Sequence, residues 1–267
     1  MDGVGVTADS LGLRGPRGWA FRGIGVDAEP GSLIAIEGPS GSGRTSLLLA
    51  LTGRMKATEG TATVGGARLP RQLAAVRRVA GLAHVAGVTD LEPALTVGEH
   101  LHERALLERR FGGSVRELLR PRAERATRAR LRIETALAAA GLDPETLPKG
   151  TRTAVRDLER LEALRLSVAL ALIGRPGLLG VDDVELKLTG AEREEAWALL
   201  RSLAEAGTTV LAVCGEAPEG TVPVPTRADA VPAGQETATA AEQEPEQRQE
   251  PEQEEEKTDA LAETGRA

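Results

Sequence analysis

The chain has 267 residues, 41% of them hydrophobic, which is enough to fill the core of one large domain or two modest ones. Its net charge of −7 comes from the last segment, because residues 235–267 hold 11 acidic and 3 basic side chains (−8) and leave +1 for residues 1–234. A nearly neutral folded part gives no indication of a strongly basic surface, so no nucleic-acid partner is predicted.

The single cysteine and the N-terminal residues indicate the cellular compartment of the protein. Cys214 has no second cysteine to pair with, so an internal disulfide is excluded. The N-terminal residues lack the charged, apolar and cleavage-site regions of a signal peptide. No apolar run approaches the roughly 20 residues that a membrane-spanning helix needs. These features predict a cytoplasmic protein that reaches the inner face of the cell membrane only through a partner.

The first clear motif is a glycine-rich loop between a strand and a helix. SLIAIEG (Ser32–Gly38) is a short apolar run ending in glycine, which is typical of a buried parallel strand. The loop GPSGSGRTS follows, and its glycines let successive N–H groups surround phosphate oxygens at the positive end of the next helix. A surface Gly/Ser turn is the alternative. The predicted phosphate-binding residues are Gly38, Pro39, Ser40, Gly41, Ser42, Gly43, Arg44, Thr45 and Ser46.

Two residues of this loop decide its chemistry. Arg44 stands where such loops carry the lysine that reaches the β- and γ-phosphates. Arginine keeps the charge but brings a planar, bulkier group, so the exchange is not conservative. We expect nucleotide binding to survive and alignment of the γ-phosphate for cleavage to suffer. Thr45 is placed to offer its hydroxyl to Mg²⁺.

Beyond the loop, strand and helix patterns alternate. GTATVGG (Gly60–Gly66) alternates polar and apolar residues between glycines and predicts one arm of a small antiparallel hairpin. VAGLAHV (Val79–Val85) and GLLGV (Gly177–Val181) are apolar runs that predict strands. Between them, residues from about 96 to 175 are rich in Leu, Ala and Arg and favour an all-helical insertion.

The last third begins with a helix signal and ends in a polar segment. Thr189 and Glu192 have the spacing of a capping box, which predicts a helix at Ala191–Ala206. TTVLAV (Thr208–Val213) predicts another buried strand. From Glu216 onward the chain becomes rich in Pro, Glu and Gln, and disorder is predicted because too little apolar surface is available to offset the ordering entropy.

Together these patterns predict an α/β domain of the P-loop NTPase fold. It would have a mainly parallel sheet flanked by helices, a small antiparallel β-hairpin part and an α-helical subdomain at about residues 96–175. Its ligand should lie at the carboxyl ends of the strands, where the glycine loop stands. The domain is predicted to span residues 1–215, followed by an acidic disordered tail at residues 216–267.

The order of the motifs resembles the nucleotide-binding domain of the ATP-binding cassette (ABC) family. GPSGSG followed by TEGTATVGG resembles the Walker A loop and hairpin, and ALIGRPGLLGVDD (Ala171–Asp183) resembles the Walker B strand with its preceding turn. LTVGEHL (Leu95–Leu101) resembles the start of the helical subdomain, and TVLAV (Thr209–Val213) the strand before the switch histidine. The resemblance covers residues 20–215 and implies ATP and Mg²⁺ as cofactors and a transmembrane permease as partner.

Three side chains outside the loop fall where this family handles Mg²⁺ and water. The resemblance gives Asp182 the role of the Walker B aspartate, with a helix cap at a strand end as the alternative. His84 falls at the position of a glutamine that contacts Mg²⁺ and the transmembrane partner, so Thr45, Asp182 and His84 are the candidate metal ligands. Asp183 falls at the position of the glutamate that polarises the attacking water. It is therefore the candidate catalytic residue, although it is one methylene shorter.

Other positions depart from the family's pattern. LERLE (Leu158–Glu162) stands where the family has LSGGQ, whose serine and glycines present a helix N-terminus to the γ-phosphate held by the opposite subunit. The acidic side chains Glu159 and Glu162 are expected to repel a triphosphate there. Gly215 replaces the switch histidine, and Thr189 replaces the aspartate of the loop after Walker B.

Three functions are compatible with these residues. The first is a degenerate ABC-type subunit that binds ATP with weak or no hydrolysis, and that could pair with a competent ABC paralogue. The second is an ordinary ATP-hydrolysing subunit that energises a membrane permease. The third is a non-catalytic interaction module that uses the fold as a scaffold. In this family the membrane partner selects the cargo, so this sequence predicts neither the substrate nor the direction of transport.

Overall fold

The computed structural model of the chain describes residues 2–111 and 121–226. The strands are β1 (Val6–Gly15), β2 (Gly18–Ala28), β3 (Leu33–Glu37), β4 (Glu59–Val64), β5 (Ala67–Leu69), β6 (Ala80–Ala83), β7 (Leu178–Val181), β8 (Thr209–Cys214) and β9 (Val222–Pro225). The helices are α1 (Arg44–Leu51), α2 (Leu73–Val79), α3 (Val97–Phe111), α4 (Arg122–Ala139), α5 (Arg160–Leu172) and α6 (Gly190–Glu205). This order of strands and helices confirms the predicted α/β class.

A five-stranded parallel sheet, in the order β6-β7-β8-β3-β9, forms the centre of the domain. Every residue of β6, β7 and β8 is buried, as expected for a parallel sheet covered on both faces. Successive residues of β3 contribute to different hydrophobic clusters, because neighbouring side chains of a strand point to opposite faces. Ala35 packs in a cluster with Trp197 of α6, and Ile36 packs in a cluster with Leu47 of α1 and Phe21 of β2.

The antiparallel part of the fold is larger than the small hairpin that the sequence predicts. Among the described residues it is a four-stranded sheet in the order β2-β1-β4-β5, and β4 coincides with the predicted hairpin arm. The long pair β1 and β2 has no counterpart in the prediction. Three register shifts interrupt β1 between Ala8 and Arg14, and each irregularity breaks the period of two on which strand prediction depends.

Helices are the main regular structure of the described residues between β6 and β7. They are α3, α4 and α5, together with three short 3-10 turns, at Pro144–Thr146, Gly150–Arg152 and Val155–Asp157. This agrees with the helical texture of residues 96–175. None of the helices in the described ranges combines the length and the apolar character that a membrane-crossing helix needs.

The predicted capping box starts α6. The Glu192 carboxylate accepts the backbone N–H of Thr189 at 2.8 Å, and the Thr189 hydroxyl accepts the N–H of Glu192 at 3.3 Å. The backbone N–H of Thr189, and its hydroxyl at 2.7 Å, both donate to the Glu192 carboxylate and lower the pKa of that group. Two buried side chains, Trp197 and Leu200, then hold the helix against the sheet. The helix begins at Gly190, one residue before the predicted start.

The prediction of disorder from Glu216 onward begins too early. Strand β9 lies within that segment and pairs in parallel with β3, with Val222 opposite Ile34 and Val224 opposite Ile36. Its sequence, VPVP, looks unstructured because proline cannot donate to a ladder, but an edge strand tolerates proline. Val224 is only 1% exposed. The rest of the predicted tail, residues 227–267, lies outside the described residues.

Replacement of Val224 by alanine tests whether β9 belongs to the folded domain. We expect Val224→Ala to lower the free energy of unfolding by about 2 kcal/mol, because two buried methyl groups are lost and a small cavity remains. The matched control is Val88→Ala, since Val88 is 51% exposed and the same change there should cost less than about 0.5 kcal/mol. Equal effects in denaturant unfolding would contradict the placement of β9.

Candidate functional site

The glycine loop connects the end of β3 to the start of α1. Gly38, Gly41 and Gly43 all have positive φ angles, of 146°, 82° and 85°, which side-chain-bearing residues adopt only at a cost. A Cβ atom at Gly43 would collide with the backbone of Ala20. The loop backbone therefore curls tightly at the carboxyl end of β3, and α1 begins at Arg44 with Gly43 as its N-cap. Phosphate binding by this loop remains a prediction.

Thr45 and Asp182 are brought together across the site. The Thr45 hydroxyl donates to Asp182 Oδ2 at 2.8 Å, and the backbone N–H of Asp183 donates to Asp182 Oδ1 at 3.1 Å. Asp182 is 3% exposed, and this burial raises the pKa of its carboxyl group, while the hydrogen bond from Thr45 opposes the rise. A hydroxyl beside a carboxylate is the kind of oxygen pair that Mg²⁺ prefers, so these two residues fit the predicted ion.

The Arg44 side chain points across the site to the end of β8. Its guanidinium Nη1 donates to the backbone carbonyl of Cys214, and Nη2 lies 3.9 Å from Asp183 Oδ1. The Arg44 side chain is 15% exposed and that of Asp183 is 44% exposed. The positive charge is therefore placed beside the candidate catalytic carboxylate, on the side of the loop that faces the neighbouring strand.

His84 contacts a different part of the structure from the Thr45–Asp182 pair. Its backbone N–H donates to the Ser167 hydroxyl at 2.7 Å, and its φ angle is 56°. Burial lowers the pKa of the His84 imidazole, an effect that Asp183 opposes. His84 lines a cavity of about 420 Å³ together with Asp183 and Glu159. Its predicted role as a metal ligand remains a prediction.

The LERLE segment forms the start of α5. Glu159 is the N-cap, and its backbone N–H donates to Glu162 Oε2 at 2.8 Å, while its own carboxylate accepts the backbone N–H of Glu162. This is a complete capping box. Two carboxylates therefore already occupy and neutralise the helix terminus that would otherwise attract an anion.

Glu185 is a site residue that the sequence analysis missed. Its carboxylate accepts the Trp197 indole N–H at 3.3 Å and the backbone N–H of Gly215 at 3.3 Å. It thus fastens the end of β8, where a switch histidine was expected, to helix α6. The only sequence signal is its place two residues after Asp183, because its two partners are distant in the chain.

Comparison with known proteins relates this chain to membrane transporters. The sequence profile described as "ABC transporter" matches residues 21–184. Nod factor export ATP-binding protein I of Cupriavidus metallidurans is 30% identical over 188 residues, which are 70% of this chain and 55% of that protein. Fe(3+) ions import ATP-binding protein FbpC of Streptomyces avermitilis is 32% identical over 71% of this chain and 49% of its own length. The chain spans about half the length of these curated relatives.

Solved structures share the fold at low sequence identity. A dimeric ATP-binding cassette in a post-hydrolysis state, bound to ADP and Pi, aligns with a TM-score of 0.59 and 23% identity over 79% of this chain and 88% of that chain. The cbiO1 protein of Clostridium perfringens aligns with a TM-score of 0.63 and 18% identity, over 79% and 78% of the two chains. These similarities confirm the P-loop NTPase fold.

Removal of the Asp182 charge should stabilise the ligand-free domain at neutral pH. Burial raises the pKa of Asp182 above its ordinary value of 3.8, so the folded state binds the proton more tightly than the unfolded state. Stability from this group is present at low pH and is lost as pH rises through the raised pKa. We expect Asp182→Asn to match the wild type below about pH 3.8, to gain on it as pH rises from there through the raised pKa, and to keep a constant advantage at higher pH.

Denaturant unfolding across a pH series, without metal or nucleotide, measures this difference. Asp27→Asn is the control, because Asp27 is exposed on β2 and the same change there removes a carboxylate that remains in solvent. A wild type that is more stable than Asp182→Asn at neutral pH would contradict the prediction.

Proposed function

The chain belongs to the ABC transporter family, and we propose that it is an ATP-binding subunit that holds nucleotide and Mg²⁺ but hydrolyses ATP weakly or not at all. The position of the Arg44 side chain carries this proposal. Its guanidinium is bound to the Cys214 carbonyl and faces Asp183. A cation that binds phosphate would instead have to face the loop.

Nucleotide binding is supported by the glycine loop and the start of α1. The backbone between Gly38 and Gly43 has the positive φ angles that a phosphate cradle needs. Thr45 and Asp182 supply hydroxyl and carboxylate oxygens 2.8 Å apart, and these would hold Mg²⁺ and its water ligands. A bound ion would neutralise charge on the phosphates, and it would relieve the cost of burying the Asp182 carboxylate.

Weak hydrolysis is supported by the geometry around Asp183. An aspartate is one methylene shorter than glutamate, and misplacement of a catalytic group by about 1 Å can cost on the order of a hundredfold in rate. Arg44 Nη2 lies 3.9 Å from the Asp183 carboxylate. A positive charge therefore lies beside the basic oxygen that the attacking water would need. The planar guanidinium can bind a carboxylate or a phosphate, so the contact with Asp183 competes with a contact to phosphate.

The start of α5 supports an asymmetric assembly. The Glu159–Glu162 capping box makes that helix terminus unfavourable for a γ-phosphate held by a second copy. A hydrolytic homodimer is therefore not expected. A heterodimer is compatible with this chain, because a competent paralogue could present its own helix terminus to the loop at residues 38–46.

An ordinary ATP-hydrolysing subunit is the alternative function. The Thr45–Asp182 hydrogen bond favours it, because the metal-binding half of the site keeps its oxygen pair. The 44% exposure of the Asp183 side chain also leaves that carboxylate accessible to water. The two functions differ in phosphate release, which can be measured directly.

A groove beside β6 supports a membrane partner. It has a volume of about 850 Å³, and β6, α3 and α5 contribute to its walls. Two exposed apolar side chains, Leu107 and Val88, stand among charged groups on its rim. Mixed apolar and charged lining suits a short helix or loop of another protein. We assign it to a cytoplasmic segment of a transmembrane permease, which would hold this chain at the inner face of the cell membrane.

Nucleotide titration and phosphate release test the proposed chemistry together. We expect wild-type protein to bind MgATP in calorimetry without phosphate release above the uncatalysed rate. Arg44→Lys should tighten MgATP binding by about tenfold, since a charge-assisted contact to phosphate is worth about 1.5 to 3 kcal/mol. It should not restore turnover, because the capping box of α5 remains. Magnesium-dependent turnover by the wild type alone, lost in Asp183→Asn, would establish the alternative function.

Replacement of one exposed leucine tests the groove. Where a multi-span membrane protein is encoded beside this chain, co-expression of the two should give a complex in detergent. Leu107→Glu should reduce its yield at least tenfold because a charge enters the apolar contact. Leu131→Glu is the matched control, since Leu131 is 59% exposed on α4. Equal yields from both variants would contradict the assignment of the groove.

A further inference from the structure

Strand β9 is followed by a buried threonine that touches the phosphate loop. Thr226 is 3% exposed and Ser42, in the middle of the loop, is 1% exposed. Their hydroxyl oxygens lie 2.6 Å apart, although 184 residues separate them in the chain. We infer that Thr226 is a positioning residue, which fixes the phosphate loop in its binding conformation through Ser42. The inference rests on the proposed nucleotide binding at this loop.

The direction of these hydrogen bonds follows from counting protons. A threonine hydroxyl has one proton to donate, and Thr226 Oγ1 donates it to the carbonyl of Glu37 at 2.8 Å. The proton between the two hydroxyls must therefore come from Ser42, which donates to Thr226. The result is a directed chain from the loop, through Thr226, to the last residue of β3. The only hydroxyl proton of Ser42 is then used in a hydrogen bond within the protein interior.

Residues that follow β8 and β9 form further hydrogen bonds to the end of β3 and the start of the phosphate loop. The backbone N–H of Gly38 donates to the Gly215 carbonyl at 3.3 Å, and Glu37 Oε2 accepts the N–H of Ala217 at 2.7 Å. The N–H of Thr226 also donates to the Glu37 carbonyl, at 2.8 Å. The residues after β8 and the residue after β9 thus both bind the junction where β3 becomes the phosphate loop.

The close approach of Thr226 also explains one glycine of the motif. A Cβ atom at Gly38 would lie 2.5 Å from both the carbonyl oxygen and Oγ1 of Thr226, which is closer than such atoms can pack. The φ angle of Gly38 is 146°. The first glycine of the loop therefore has to lack a side chain for two reasons. On its inner side a Cβ atom would collide with Thr226, and on its outer side phosphate needs access to the backbone.

Two variants of Thr226 separate the hydroxyl from the shape of the side chain. Valine has nearly the same shape but leaves the Ser42 hydroxyl without its acceptor, whereas serine keeps the hydroxyl. We expect Thr226→Val to weaken MgATP binding by about tenfold, and Thr226→Ser to stay within about twofold of the wild type. In a Ser42→Ala background, Thr226→Val should weaken binding by less, because the partner is already absent.

Amide hydrogen exchange of residues 38–43 without nucleotide gives a second readout. Thr226→Val should speed exchange there by about tenfold, with serine restoring protection. Unchanged affinity and unchanged loop exchange in Thr226→Val would overturn the inference, even if the variant melts at a lower temperature. If the wild type fails to bind MgATP, the proposed function fails, and loop exchange alone decides whether Thr226 positions the loop.

Discussion

The parallel pairing of β3 with a strand on each side is the constraint on which the site depends. Glu37, the last residue of β3, lies opposite Cys214 of β8 and opposite Pro225 of β9. All three strands therefore end at the same edge of the sheet, which is where ligands bind in open parallel sheets. Strand β7 pairs with β8 in the same direction and delivers Asp182 to that edge. The register of these strands thus brings the phosphate loop, Asp182 and Thr226 to one edge of the sheet.

The groups that hold the sheet and the groups that would handle phosphate are under different physical demands. The sheet is held by close packing of fully buried side chains such as Ile34, Leu179 and Val213, where a change of one methylene is already felt. Side chains at the exposed edge can change without loss of the core. A shortened carboxylate at Asp183 and a guanidinium at Arg44 can therefore accompany a fold that remains similar to active cassettes.

Local signals in the sequence were sufficient for much of the fold. The strand, glycine loop and helix around Gly38 were predictable because each depends on a few neighbouring residues, and so was the capping box at Thr189. Strand β1 was missed because its irregularities remove the alternation of buried residues. Strand β9 was missed because its two prolines dominate a segment whose stability comes from pairing with β3, which is distant in sequence.

The site was less predictable, since its polar contacts join distant parts of the chain. The sequence proposed Thr45 and Asp182 as metal ligands through the motifs that contain them. The structure places the two side chains in hydrogen-bond contact, and their metal binding stays a prediction. Nothing in the sequence indicated that Arg44 would bind the carbonyl of Cys214, 170 residues away, or that Glu185 would fasten Gly215. Such partners are set by strand order, which no local pattern encodes.

The capping box of α5 also acts as a tethered ligand. Glu159 and Glu162 are attached to the helix terminus that they occupy, so their effective concentration there is about millimolar or higher. An external anion would have to displace these two carboxylates, which cannot diffuse away because they belong to the same chain. A basic side chain would meet no such competition, because the two carboxylates attract it. The start of α5 is therefore less favourable for a phosphate than a helix terminus without such side chains.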